Sequence, residues 1–249
     1  MTIAIFFFGH WFLSLFAQTF YLHRYAAHGM FSMSKFWERF FFVFTYIVQG
    51  SSFLNPRAYA VMHRMHHAYS DTEKDPHSPG FFRDVFQLMM HTKEVYMGLL
   101  TGTIKPDGKF TGNYPVWEKF EQFADLWTPR VGWVVLYALF YWWFATAWWM
   151  FLLIPIHALM GPIHGAFVNW CGHKYGYVNY ETRDQSRNSV NVDMFLMGEL
   201  FQNNHHKFPS RANFAVKWFE FDPTYPLLLL LDAIGIITLK ERPRQVRSQ

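Results

Sequence analysis

Charge disappears from this chain in long stretches, and those stretches set its layout. Residues 3–22, Ile3 to Leu22, carry no charged side chain, and about 20 apolar residues cross a bilayer as one helix. A second uncharged stretch lies between Arg130 and Lys174. It is long enough for two crossings back to back, predicted at 131–150 and 151–169, with Pro155, Gly161 and Pro162 bending the second. Phe40 to Val48 is also apolar, but Gln49-Gly50-Ser51-Ser52 follows at once. That run is too short to cross, so a re-entrant or interfacial helix is predicted over 36–54. Polar, charged and Pro/Gly-containing stretches at 55–128 and 174–222 predict a helical cap on one side of the membrane. Leu227 to Leu239 predicts a short interfacial helix closing the fold. The expected architecture is a single all-α integral membrane domain over 1–249, with about three transmembrane helices.

Composition sharpens this picture. Of the 249 residues, 51% are hydrophobic and 21% aromatic. Amphipathic rings suit a membrane–water boundary. The mean hydropathy of −0.02 is depressed by Trp, Tyr and thirteen His, so segment pattern outweighs the average. A formal charge of +4 with no interleaved basic stripe gives no footprint for nucleic acid. The basic tail from Lys240 to Arg247 is expected on the cytoplasmic face. A single cysteine, Cys171, excludes an intrachain disulfide. No basic leader or small-residue cleavage site accompanies the first apolar stretch.

Eight of the histidines fall into four constellations, each at the polar end of an apolar segment. The first is His23 and His28. The second is His63, His66 and His67, which share one helical face at about 100° per residue, with His66 and His67 diverging enough to address two metals. The third is Asn169 to His173. The fourth, Gln202-Asn203-Asn204-His205-His206, repeats the second spacing with Gln in first place. A lone helical His is most often a hydrogen-bonded core residue, and the first pair alone would not exceed that reading. All four together do. Eight imidazoles exceed the demand of one four-coordinate ion, so two metals are the economical reading. The near-absence of cysteine argues against iron–sulfur clusters. His10, His157 and His164, in or near apolar helices, are read as structural hydrogen-bonding residues, and His77 and His91 as solvated or outer-sphere groups.

The constellations also constrain topology. If Phe40 to Val48 crossed the bilayer, the first two boxes would lie on opposite faces. If it does not, the first helix and the later hairpin deliver every box to one face. Three spans, an outside N-terminus and a metal centre on the cytoplasmic side follow.

These motifs resemble the membrane fatty acid desaturases, of the Δ9 acyl-CoA desaturase branch and a compact bacterial type. That family's boxes HxxxxH, HxxHH and HxxHH appear as His23–His28, His63–His67 and, imperfectly, Gln202–His206. The flanks match too, in His66 to Ser78, in Gly198-Glu199 and in Pro209. Asn169 and His173 match a further family motif, in which the Asn holds a metal-bound water and the His is a ligand. The resemblance spans most of the chain, from about residue 10 to residue 215. It implies two iron ions held by His23, His28, His63, His66, His67, His173, His205 and His206, with O₂ as co-substrate. Asp71, Asp75, Asn188 and Glu199 are candidates for holding the outer nitrogens of these imidazoles; the competing reading is caps and surface charges.

The departures carry information. Gln202 replaces the usual His and either ligates weakly through its carbonyl oxygen, holds a water, or leaves a coordination site open. Val61-Met62 replaces a charged pair that helps hold CoA in animal members, which leaves the acyl carrier open among CoA, acyl carrier protein and lipid. The chain begins just before the helix that leads into the first box, so the family's first helix is expected to be absent. No fused electron-transfer domain is recognisable, so a ferredoxin, rubredoxin or cytochrome b5-like donor with its reductase is expected.

The expected reaction is removal of hydrogens from adjacent methylenes of an acyl chain, giving an alkene and water. Aromatic helices, Phe20 and Tyr21 among them, would form the tunnel that fixes which carbons react. Three rivals remain. An alkyl or carotenoid hydroxylase would use the same metals. A bis-His haem electron-transfer subunit would need His pairs facing across helices. A metal transporter would place carboxylates inside its spans, and residues 131–168 contain none.

Overall fold

The computed structural model describes residues 1–240; the basic tail beyond Lys240 lies outside the described residues. Helix α1 (Thr2–Phe16) passes without a break into a π-helical stretch, Ala17–Ala27. Together they form a helix of 26 residues, the one helix among the described residues that is alone long and apolar enough to cross a membrane. It runs past the predicted end at Leu22, so the first histidine box lies on its last turn, with His28 as the C-cap.

A short strand β1 (Phe31–Met33) leads to α2 (Lys35–Gln49). Ser34 caps this helix by accepting from the Trp37 N–H. Phe36, Phe40 and Ile47 point outward and Phe41, Phe42 and Thr45 inward, the two-sided pattern of a helix lying along a boundary. At 15 residues it is about 22 Å long, shorter than a bilayer core. It ends at Gly50, where φ is +52° and a Cβ would lie 1.8 Å from the Tyr137 hydroxyl. Only glycine permits that turn and that approach.

Helix α3 (Pro56–Tyr69) starts with Asn55 as N-cap and Pro56 in its first turn. Next come α4 (Val85–Thr101), α5 (Glu118–Ala124) and α6 (Trp127–Phe144). The predicted span 131–150 is thus shorter at its far end. Trp142 and Trp143 are 78% exposed and Trp148 77%, clustering large rings at the hairpin tip.

The predicted span 151–169 is broken. A 3-10 turn, Trp148–Leu153, runs into α7 (Ile154–Ala158) and then α8 (Met160–Lys174), with a 70° bend at Leu159. Pro162 has no N–H to offer the Ala158 carbonyl. Ser51 Oγ donates to that carbonyl instead at 3.2 Å, and the Gly161 N–H donates to Ser52 Oγ at 3.0 Å. Borrowed hydroxyls of this kind let a broken helix persist in an apolar setting.

Two expectations need correction. The fold is mostly helical, as expected, but the segment expected as one interfacial helix splits into α10 (Thr224–Ala233) and strand β2 (Ile237–Leu239). β2 pairs antiparallel with β1 in the register Phe31↔Leu239, Ser32↔Thr238, Met33↔Ile237. Gly235, at φ +75°, turns the chain, and Ile-Thr alternation suits a strand. The cap is also less helical than expected, because residues 174–222 contain only the short α9 (Gln202–Lys207). Their backbone is organised by buried acids. Asp193 accepts from the N–H groups of Leu196, Gly198 and Leu200, and Glu220 from those of Val216 and Lys217. The aromatic core, including Phe20, Phe31, Phe41, Phe42 and Phe214, fills the space beneath β1 and α2.

Candidate metal centre

The HxxxxH spacing suits the π-helical stretch. In an α-helix, residues five apart point about 140° away from each other. In a π-helix an i→i+5 hydrogen bond closes the turn, and the His28 N–H donates to the His23 carbonyl at 3.1 Å. His23 and His28 therefore face the same way. On α3, His63, His66 and His67 present the predicted shared face, and α9 brings His205 and His206 against it.

The eight imidazoles gather into two groups. In the first, ligand atoms of His23, His28, His63, His67 and His205 all lie within 4.8 Å of one another. The Nε2–Nε2 distances are 2.9 Å for His23–His205, 2.9 Å for His67–His205, 3.0 Å for His63–His67 and 2.8 Å for His28–His63. Metal–nitrogen bonds of about 2.1 Å at right angles place neighbouring nitrogens about 3.0 Å apart. Such spacings leave no room for a porphyrin between the rings. The second group is His66, His173 and His206, with His66 and His206 Nε2 atoms 3.2 Å apart.

Carboxylates flank the outer nitrogens of four of these rings. His66 Nδ1 lies 2.9 Å from Asp75, His173 Nδ1 2.9 Å from Asp71, and His206 Nδ1 2.8 Å from Asp184. His23 Nδ1 lies 2.6 Å from Glu199. In a neutral ring, a carboxylate that takes the Nδ1 proton leaves Nε2 as a bare lone pair. Two lone pairs facing at 3.2 Å repel unless a cation lies between them, and His173 Nε2 is buried without a partner. The residues thus fit a pair of metal ions. Burial, reinforced by neighbouring imidazoles, holds His28, His63, His67 and His205 well below the ordinary histidine range. Burial also brings His206 down to about 4, against the pull of Asp184. Neutral imidazoles are the form that binds metal. At His66 burial acts the same way but is outweighed by Asp75, and the value rises.

Of the four expected outer partners, Asp71, Asp75 and Glu199 contact imidazoles as above. Asn188 does not: it donates to Asn204 Oδ1 at 3.0 Å and accepts from the Asn204 N–H at 3.2 Å, bracing α9 from behind. Asp184 was not anticipated, and nothing in its sequence neighbourhood separates it from other loop acids. Arg24 was also missed. It is fully buried, 2.7 Å from Asp222 and 3.1 Å from Glu199, with its guanidinium 3.8 Å from the Phe214 ring centroid.

Gln202 is buried, and its amide nitrogen donates to the Glu199 carbonyl at 2.6 Å. Asn169 is half-buried one turn before His173. His77 is not solvated: it is 4% exposed, its ring 4.4 Å from that of His66, with neither ring nitrogen hydrogen-bonded. It groups with His66 and Asp75 rather than with His173 and His206. His91 packs against Phe82. His10 and His157 bond each other at 2.6 Å, and His157 bonds the Tyr141 hydroxyl at 2.9 Å. His164, expected to be hydrogen-bonded, is buried without a partner and packs edge-on to Trp11. Phe20 and Tyr21 are fully buried in the aromatic core.

Comparison with known proteins agrees with this geometry. The sequence profile described as "Fatty acid desaturase" matches residues 1–231. An sn-1 stearoyl-lipid 9-desaturase of Synechocystis sp. is 32% identical, over 86% of this chain and 64% of its own length. One of the same description from Anabaena variabilis is 30% identical, over 87% of this chain and 75% of its own. A Delta-9 desaturase-like 5 protein of Arabidopsis thaliana is 28% identical, over 93% of this chain and 74% of its own. With its imidazoles arranged to receive metal and the family profile matched over nearly its whole length, the chain belongs to the fatty acid desaturase family and is an oxidoreductase.

Proposed function

We propose that this chain is an O₂-dependent, di-iron fatty acyl desaturase that introduces a cis double bond at the Δ9 position of a saturated acyl chain. The observation that carries the reading is the set of carboxylate-held imidazoles, His23, His66, His173 and His206, gathered with His28, His63, His67 and His205 into two close groups. Two irons bound there would supply the O₂ activation that an unactivated methylene requires, chemistry beyond ordinary acid–base groups. Overall, one –CH₂–CH₂– unit, O₂, two electrons and two protons become –CH=CH– and two waters.

The protein's own residues hold and exclude. His23, His28, His63, His67 and His205 would ligate one iron, and His66, His173 and His206 the other. Asn169 would hold a water at the edge, and Asp71, Asp75, Asp184 and Glu199 would fix ring orientation. The Δ9 position is supported by relatives described as 9-desaturases. Relatives are described as acting on lipid, acyl-carrier-protein and CoA-linked chains, so any of the three carriers fits, and burial of Val61 and Met62 leaves no charged pair there for CoA. Electrons would come from a separate ferredoxin, rubredoxin or cytochrome b5-like protein and its reductase.

In this reading the chain crosses a bacterial inner membrane three times, through α1 with its π stretch, α6, and the bent α7–α8 pair. The N-terminus lies outside and the metal centre faces the cytoplasm. The exposed Trp cluster at the hairpin tip supports this, as interfacial rings at the far side.

The test is expression in a bacterium lacking an oxygen-dependent desaturase, with ferredoxin and reductase supplied, followed by gas chromatography–mass spectrometry of total fatty acids. A new monounsaturated acid, absent with His66→Ala, is expected. A hydroxy acid would reassign the chain as a hydroxylase. No new lipid from protein carrying two irons would refute an acyl substrate.

A further inference from the structure

The two groups of imidazoles are unequal, five against three, and the fold indicates which residue makes them so. On α3, His63 and His67 turn to the first group and His66 to the second. On α9 the assignment is crossed, with His205 in the first group and His206 in the second. Residues four apart on a helix share a face, so the position four before His206 belongs to the second group, as His63 pairs with His67 in the first. That position is Gln202.

Gln202 cannot act as an imidazole. Its amide nitrogen is committed to the Glu199 carbonyl at 2.6 Å. Its stem presses on α8 beside His173: a Cβ on Gly172 would lie 2.4 Å from Gln202 Cγ and 3.1 Å from its Cβ. What remains is one neutral carbonyl oxygen, a donor suited to harder cations than those that imidazole favours. Asn169 offers the same kind of oxygen. His77 groups with Asp75 on another side of His66, so it does not complete the set.

We propose that the second position, His66, His173 and His206, holds its metal at least about tenfold more weakly than the first, a gap of the size that lesser changes around metal ligands produce, and that Gln202 sets this difference. The chain then passes through a stable form carrying one metal, and the second metal exchanges with solution. This rests on the metal-centre reading above.

The test uses full-length protein in detergent, stripped of metal and titrated with Co²⁺ by visible absorption, then dialysed against rising chelator with metal per chain measured. Two separated steps are expected, one metal persisting after the other has left. His206→Ala should remove the weaker step and leave the tighter one. Gln202→His should draw the steps together. A single step releasing both metals would overturn the proposal, as would loss of the tighter step in His206→Ala. Unchanged separation in a Gln202→His protein with normal thermal melting would also overturn it. Protein that takes up no Co²⁺ would sink the metal-centre reading itself, and this inference with it.

Discussion

Asp184→Asn isolates what one loop carboxylate does for a metal site. Asp184 Oδ2 holds the His206 Nδ1 proton at 2.8 Å, and its other oxygen accepts from the Ser186 N–H at 3.0 Å and from Thr182 Oγ at 2.9 Å. The substitution keeps size and loop geometry and removes the charge. It also allows the amide to present N–H to His206, which would move the ring proton to Nε2 and block ligation. Removing a partner of this kind costs 10–100-fold in metal affinity, or about 1.4–2.8 kcal/mol. His206 belongs to the three-imidazole group, so only the more weakly held metal should be affected. Co²⁺ titration of the detergent-solubilised protein reads this directly: the first equivalent unchanged, the second shifted 10–100-fold. An unchanged second equivalent, or equal loss of both, would refute the argument that the carboxylate sets the His206 tautomer.

Other expectations follow from the same geometry. Arg24→Met leaves Glu199 and Asp222 buried without their cation and should cost about 3–5 kcal/mol, seen as a large drop in melting temperature before any metal is added. Folded values of His28, His63, His67 and His205 lie below 6.5 and that of His206 near 4. The unfolded chain therefore takes up protons that the folded apoprotein refuses, and apoprotein stability should fall as pH drops through about 6.5 toward 4. A melting temperature flat across that window would contradict it. Gly176→Ala places a Cβ 2.0 Å from the Asn188 carbonyl oxygen at φ +125°; it should destabilise by about 1–3 kcal/mol from backbone strain alone, measured by chemical denaturation. His157→Leu strips partners from both His10 and Tyr141 and should cost about 1–3 kcal/mol for each buried group left unpaired, read as a lower melting temperature with unchanged Co²⁺ uptake.

The histidine boxes were readable because their chemistry is encoded in local spacing. His63, His66 and His67 share a face in any helix. The HxxxxH box was readable as a motif but not as a shape, since only a π-helical turn aligns His23 with His28. Asp184, Glu220 and Arg24 were invisible for a different reason. Their partners lie 22, 16 and 198 residues away at His206, Asn204 and Asp222, and no local pattern marks a contact made by tertiary folding. The broken helix at Leu159 was foreshadowed by Pro155 and Pro162, whereas the hydroxyls of Ser51 and Ser52 that stabilise the break came from a segment more than a hundred residues earlier. The β1–β2 ribbon was missed because Leu227 to Leu239 reads as one apolar run, and three residues of strand are too few to show alternation.

That ribbon also has a bearing on synthesis. Phe31–Met33, just after the first box, pairs with Ile237–Leu239, and Arg24 within the box pairs with Asp222. The helix that carries the first box thus waits for its closing partners until nearly the whole described chain has left the ribosome. At about 5–20 residues per second that delay is on the order of ten seconds or more. During it Arg24 is an unpaired cation at the end of an apolar helix, and His23 and His28 have neither His205 nor Glu199 beside them. In the metal-centre reading, metal would load only after His205 and His206 have emerged. Until then its first box stands complete in sequence and without its partners in space.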